Sequence, residues 1–141
     1  MAAEGLRISF EPHNDEPKAF VSGGLDNYNI AVTGRPDWYP VQYYLRDADD
    51  AVLGGLIGDT WGGWLHITHL WIADAARGSG HARELMAAAE AYAKKRGCTG
   101  AYLETFSFQA RPLYEKLGYE VVGQIENFPP GHTHYFLKKE F

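Results

Sequence analysis

Trp64-Leu-His-Ile-Thr-His-Leu-Trp-Ile72, Ala73-Asp-Ala-Ala-Arg77-Gly-Ser-Gly-His81 and Ala82-Arg-Glu-Leu-Met-Ala-Ala-Ala-Glu-Ala-Tyr-Ala-Lys-Lys-Arg-Gly97 follow one another without a break. The first segment, bounded by Gly62-Gly63, is the longest β-like run in the chain. In the third, Ala82, Leu85, Met86, Ala89 and Ala93 recur at i, i+3, i+4, i+7 and i+11. That spacing makes one apolar stripe for a sheet to receive. Lys94-Lys95-Arg96 suit the negative end of the helix dipole, and Gly97 supplies the stop. Ala101–Thr105 reads as the next strand. Strand, long helix and strand at this spacing form a right-handed βαβ unit with two parallel strands.

The flanks are β-rich. Leu6–Phe10 alternates apolar and polar residues and is expected as a first strand. Lys18–Val32 is expected as a short helix in spite of Gly23-Gly24. Val41–Arg46 and Val52–Ile57 read as strands joined by the polar turn Asp47-Ala-Asp-Asp50. Ala110–Leu117 reads as a short helix, with Pro112 in its first turn and Gly118 at its end. Tyr119–Ile125 and His134–Lys138 close the chain as strands. The expected class is α/β or α+β, built on a mixed sheet.

The 141 residues favour one domain spanning 1–141. At 45% hydrophobic and 22% charged the chain is too apolar for disorder. A net charge of −5 argues against a broad nucleic-acid footprint and favours cationic partners. Cys98 stands alone, so no intrachain disulfide framework exists and a reducing, cytoplasmic setting is expected. No window approaches the length of a membrane span, and no membrane partner is expected. His132 and His134 are two residues apart, a poor zinc set without a third ligand, so no metal is expected.

The loop Arg77-Gly-Ser-Gly-His-Ala82 opens the long helix. Its glycines permit close backbone approach, and the free N–H groups of the first helical turn face into it. With Arg77 beside it, this is an anion site suited to a phosphate or pyrophosphate; the plainer reading is a glycine-eased turn with a solvated arginine. Other phosphate loops do not match. Arg83 stands where a dinucleotide fingerprint wants glycine or alanine, and the chain has no Gly-Lys for a P-loop. Gly78-Ser79-Gly80 also lacks the spacing of a nucleophile elbow.

Leu70-x-Ile72-x-Asp74-x-x-Arg77-Gly78-x-Gly80-x-Ala82 resembles the acyl-CoA-binding signature of GNAT-type N-acetyltransferases, whose core is Gln/Arg-x-x-Gly-x-Gly/Ala. Ala110-Arg-Pro-Leu-Tyr114-Glu-Lys-Leu-Gly118-Tyr119 resembles that family's second signature, a tyrosine-bearing helix ending in Gly-Phe/Tyr. The resemblance covers residues 40–141, with an acyl-CoA core at about 64–118; the N-terminal part has room for one helix where the family usually has two. It implies a mixed, mostly antiparallel sheet of six to seven strands, a central βαβ unit and helices on both faces. It also implies direct acetyl transfer from acetyl-CoA to an amine, with no covalent acyl-enzyme.

By the same resemblance, Arg77, Gly78, Ser79, Gly80, His81 and Ala82 hold the pyrophosphate. The backbone at Leu70, Trp71 and Ile72 pairs with the pantetheine arm, and Gln109 meets that arm through its amide. Tyr114 matches the family's general acid for the departing thiolate; core packing is the alternative. A phenol of pKa about 10 stays protonated at neutral pH, which suits that task. Neutralising a lysine-like amine at pH 7 costs about 4 kcal/mol, and an α-amine under about 1 kcal/mol. His66 and Glu104 are the candidate bases, either directly or through water. At period two His66 is expected to share a face with Thr68 and Ile72, while His69 points away. Phe106, Phe108 and Phe128 are expected as pocket walls. The expected acceptor is a small primary amine; the alternatives are a peptide amine or a non-catalytic acyl-CoA-binding role. The short N-terminal segment leaves room for a second subunit, a homodimer, to complete the acceptor pocket.

Overall fold

The computed structural model describes residues 5–141, divided into two units that meet between Pro36 and Asp37. In the first, Leu6–Phe10 has no regular structure, against the expected strand. Alternation alone does not make a strand, because its backbone groups still need a partner ladder. The helix α1 spans Asp15–Thr33, three residues longer at its start than expected. Asp15 and Glu16 favour the positive end of its dipole, and Pro17 falls in the first turn where no helical N–H is needed. Gly34, in the left-handed region, ends the helix with its N–H on the Ile30 carbonyl at 2.7 Å.

The second unit holds β1 (Tyr39–Arg46), β2 (Val52–Trp61), β3 (Trp64–Ile72), α2 (His81–Lys95), β4 (Gly100–Phe106), α3 (Arg111–Lys116), β5 (Glu120–Glu126) and β6 (Thr133–Glu140). The strands lie in the order β1-β2-β3-β4-β6-β5, and every pair is antiparallel except β3 with β4. This is the expected mixed, mostly antiparallel sheet with the βαβ unit at its centre. Its strand number is six because Leu6–Phe10 does not join. The second strand runs to Trp61, four residues past expectation, so that β2 and β3 form one hairpin turning at Gly62-Gly63. Pairing with β3 carries Asp59 into the ladder in spite of its low β-propensity, and Thr60 follows it.

The core lies between α2 and one face of the sheet. Leu85, Met86, Ala89 and Ala93 of α2 are buried with Leu56, Leu65, Ile67, Leu103 and Leu137 of the strands. Glu90, also on α2, is 7% exposed; it accepts a hydrogen bond from Lys139 Nζ at 2.7 Å and one from the Tyr119 hydroxyl at 3.0 Å. This polar contact ties α2 to the C-terminal strands.

One irregularity changes which side chains face the core. Ile57 pairs with His69 and Gly58 with Ile67, so Thr68 is an extra residue, a β-bulge in β3. Leu65 and Ile67 are buried before it, and Ile72 after it. The alternation is therefore shifted by one, and His66 and Ile72 do not share a face as strict period two predicted. The Thr68 hydroxyl donates to the Ile57 carbonyl at 3.0 Å, a local bond that steadies the bulge. Gly58 sits against it: a Cβ there would lie 2.2 Å from the His66 carbonyl oxygen.

Candidate active site

Parallel pairing of β3 with β4 runs from Trp64↔Gly100 to Ile67↔Leu103. Beyond that point the strands part, directly after the Thr68 bulge, and a cavity of about 640 Å³ opens between them. One wall is Ile67–Ile72 with Arg77 and Ala82; the other is Leu103–Thr105, Phe108–Ala110, Leu113 and Tyr114. Leu70, Trp71 and Ile72 thus line the cleft on a stretch of β3 that does not pair with β4. Backbone groups on such an edge are available to an extended ligand arm.

The loop into α2 forms one end of this space. Asp74–Ala76 make a single 3-10 turn, and Gly78 and Gly80 adopt left-handed backbone at φ 84° and 83°. The helical ladder opens with Glu84 N–H on the Gly80 carbonyl at 3.1 Å, so the amides of the first turn precede it. A second cavity, about 230 Å³, is lined by Gly78, Gly80, His81, Ala82 and Arg83 among others. Ser79 lines neither cavity. Arg77 is held: its Nε donates to the Ile72 carbonyl at 2.7 Å and its Nη1 lies 2.7 Å from Asp74 Oδ1. Besides lending positive charge, it fastens the loop to the end of β3.

Tyr114 is 7% exposed, packs edge-to-face on Tyr119 at 6.2 Å and lines the main cavity. Burial raises its phenol above the usual tyrosine range, which keeps the proton on it. Gln109 also lines the cavity, but its amide oxygen accepts from the Phe106 N–H at 2.9 Å and the Thr105 hydroxyl at 3.2 Å. Only its NH₂ group remains to meet a ligand. Phe108 forms part of the wall, with Phe106 stacked on it at 5.3 Å and Phe128 at 5.6 Å from Phe106.

The two candidate bases are separated. Glu104 lines the cleft. His66 does not; it lies on β3 before the strands part, stacked on Tyr102 with centroids 4.2 Å apart. Asp59 is its acidic neighbour, with a carboxyl raised by burial and lowered less strongly by His66. The sequence considered His134 only as half of a metal pair, whereas it lies 3.3 Å from Glu104. Its place opposite Phe106 in the β4–β6 register depends on strand pairing that no local pattern reveals. Among the described residues, no group of three or more acidic, histidine or cysteine side chains could hold a metal, and no helix is long and apolar enough to cross a membrane.

Comparison with known proteins bears directly on this cleft. Residues 9–119 match the model of the acetyltransferase (GNAT) family. An acetyltransferase of Agrobacterium fabrum is 39% identical over 126 residues, which cover 89% of this chain and 92% of that protein. Blasticidin-S acetyltransferase of Streptomyces morookaense is 43% identical over 88 residues, 62% of this chain and 65% of that protein. The crystal structure of an Agrobacterium tumefaciens protein classed as an acetyltransferase superposes with a TM-score of 0.90 at 34% identity, covering 96% of this chain and 99% of that one. The family match over most of the chain means that this chain belongs to the acetyltransferase (GNAT) family and is an N-acetyltransferase, of a family whose acyl donor is acetyl-CoA.

Proposed function

We propose that this protein transfers the acetyl group of acetyl-CoA to a primary amine of a small, cationic molecule by direct attack in a ternary complex. The observation that carries the reading is the cleft between β3 and β4, with Glu104 and buried Tyr114 both in its lining. The cleft and the loop cavity fit the donor chemically, since an unpaired strand edge suits an amide-bearing arm and a glycine-rich helix start suits a pyrophosphate. When bound, acetyl-CoA supplies an activated thioester. The protein's own groups then have four tasks.

The amides from Gly78 to Ala82 hold the phosphates, with Arg77 keeping the loop against β3. The backbone of Leu70–Ile72 aligns the arm along the cleft. Tyr114 keeps its proton at neutral pH and delivers it to the departing sulfur, a role that its burial supports. Glu104 takes the proton of the incoming ammonium, directly or through a water. Its position in the cleft favours it over His66, which lies outside the lining. A carboxylate that shares the cleft lining with the ring of Phe108 also suits a cation. The net charge of −5 and the likeness to a blasticidin-S acetyltransferase support a small cationic acceptor.

The test is to mix the protein and acetyl-CoA with blasticidin S, a polyamine, an arylalkylamine and a short peptide, and to follow free thiol. Thiol release above acetyl-CoA hydrolysis with any of the small amines supports the reading. Release with the peptide alone moves it to a protein substrate, and release with none overturns it. A homodimer belongs to the same reading: Val21, Leu25, Tyr28 and Val32 recur at helical spacing along α1 and give it an apolar stripe suited to a partner subunit. Light scattering at micromolar concentration tests it, and a monomer mass overturns it.

A further inference from the structure

His134 is a buried imidazole that packing does not explain. It is 8% exposed, on β6, with the rings of Phe106, Phe136 and Phe128 at 4.7, 4.8 and 5.0 Å. A fourth phenylalanine or a leucine would fill such a site without leaving polar atoms behind. Instead neither ring nitrogen of His134 has a hydrogen-bond partner among the described residues, a costly state for a buried polar group. One of them, Nε2, lies 3.3 Å from Oε2 of Glu104, the carboxylate that lines the cleft. The contact crosses from β6 to β4 within the sheet, where Phe106 is the register partner of His134 and Phe136 that of Glu104.

We propose that His134 is the positioning residue for Glu104. With its proton on Nε2, a small turn of either side chain closes the 3.3 Å contact into a hydrogen bond to Oε2 that fixes the carboxylate against the strand and leaves Oε1 for the acceptor's ammonium. Glu104 is otherwise a side chain 45% exposed with rotamers to choose among. The phenylalanine cage holds the imidazole in place, so the order of the rigid sheet is passed to the carboxylate. His134 touches no reacting atom in this scheme. Glu104 Oε1 takes one proton from the ammonium before the nitrogen attacks, the nitrogen's second proton replaces the one that Tyr114 gives to the departing sulfur, and His134 keeps its own throughout. The proposal rests on the amine-acetylation reading above.

The test uses His134→Gln, whose amide can replace the Nε2 donor, and His134→Leu, which removes it, each alone and combined with Glu104→Gln. All variants are first checked for cooperative thermal unfolding. With blasticidin S as acceptor, or whichever small amine in the panel turns over, His134→Leu is expected to lower kcat about 10²-fold with an unchanged KM for acetyl-CoA. His134→Gln is expected to recover most of that loss, and in the Glu104→Gln background His134→Leu is expected to change nothing further. Equal losses in both backgrounds, or a glutamine variant as poor as the leucine variant, would overturn the proposal. The pairing is also read without turnover, from the ¹⁵N and proton shifts of the His134 side chain. They are expected to move in Glu104→Gln; unmoved shifts overturn the pairing. A wild-type protein inactive on every amine strikes the acetylation reading and the catalytic role together, while the shifts still decide whether the two side chains are bonded.

Discussion

Ile67 and Leu103 are the last residues at which β3 and β4 pair, and everything the site needs lies beyond them. Ala82, in the first turn of α2, lines both the main cavity and the loop cavity and so stands where the two meet. A large side chain there fills space in which the donor is proposed to lie. Ala82→Trp is therefore expected to weaken acetyl-CoA binding by more than about tenfold, equivalent to about 1.4 kcal/mol, as measured by calorimetric titration. Binding at wild-type strength would mean that the donor lies elsewhere.

Gly80 separates conformational from electrostatic effects. Its φ of 83° disfavours any other residue, yet a Cβ there meets nothing within 4 Å. Gly80→Ala is expected to cost about 1–2 kcal/mol in stability through backbone strain, with acetyl-CoA still bound. Gly80→Glu adds a negative charge where the pyrophosphate is proposed to lie, and is expected to abolish detectable binding. Parallel thermal melts and titrations of the two variants separate these effects, and equal binding by both would remove the pyrophosphate from this loop.

In the proposed mechanism Tyr114 sets the alkaline side of the pH profile. Burial raises its phenol, so the protonated acid persists above the ordinary value of about 10 and is lost only as pH climbs through the higher one. The rate limb assigned to this acid is accordingly expected above pH 10, measured with an acceptor whose amine is already neutral there. Tyr114→Phe should lower kcat by about 10²-fold or more and remove that limb, with little change in the KM for acetyl-CoA. Loss of binding and rate in equal measure would make Tyr114 a packing residue.

The elements that local pattern controls were legible in the sequence. The stripe from Ala82 to Ala93 specified α2, and Pro112 and Gly118 bracketed α3 within a residue or two. Two features were not legible, for a common reason. The bulge at Thr68 depends on how β3 meets β2, and it reverses the side on which everything after it falls, so His66 was placed on the wrong face relative to Ile72. The approach of His134 to Glu104 depends on the β4–β6 register across an intervening helix and strand. Leu6–Phe10 shows the converse, a pattern that suits a strand but has no ladder to join.

Gly58 makes the cost of that bulge measurable. The atoms a Cβ would meet are the His66 carbonyl oxygen at 2.2 Å, its carbon at 3.1 Å and the Ile67 Cα at 3.2 Å, all backbone. No flexible side chain can yield, so β2 and β3 must separate. Gly58→Ala is expected to destabilise the fold by about 1–3 kcal/mol or more in urea titration. Gly23→Ala, in α1 with nothing within 4 Å, is expected instead to stabilise by about 0.5–1 kcal/mol. A neutral Gly58→Ala would show that the sheet has slack at the bulge.

Glu90 tests whether the polar tie between α2 and the C-terminal strands adds stability or only specifies the arrangement. Its side chain is 9% exposed and that of Lys139 26%; Glu90 accepts from both Lys139 and the Tyr119 hydroxyl, while Lys139 has Glu90 as its ionic partner. Removing one partner leaves a shielded charge uncompensated, and Glu90→Leu is expected to cost about 3 kcal/mol. Replacing both, as Glu90→Leu with Lys139→Met, removes the charge along with its partner and is expected to recover most of that loss. Chemical denaturation of the two single variants and the double variant closes the cycle. A double variant no more stable than Glu90→Leu would mean that the Tyr119 hydroxyl, left without its acceptor in both, accounts for the cost.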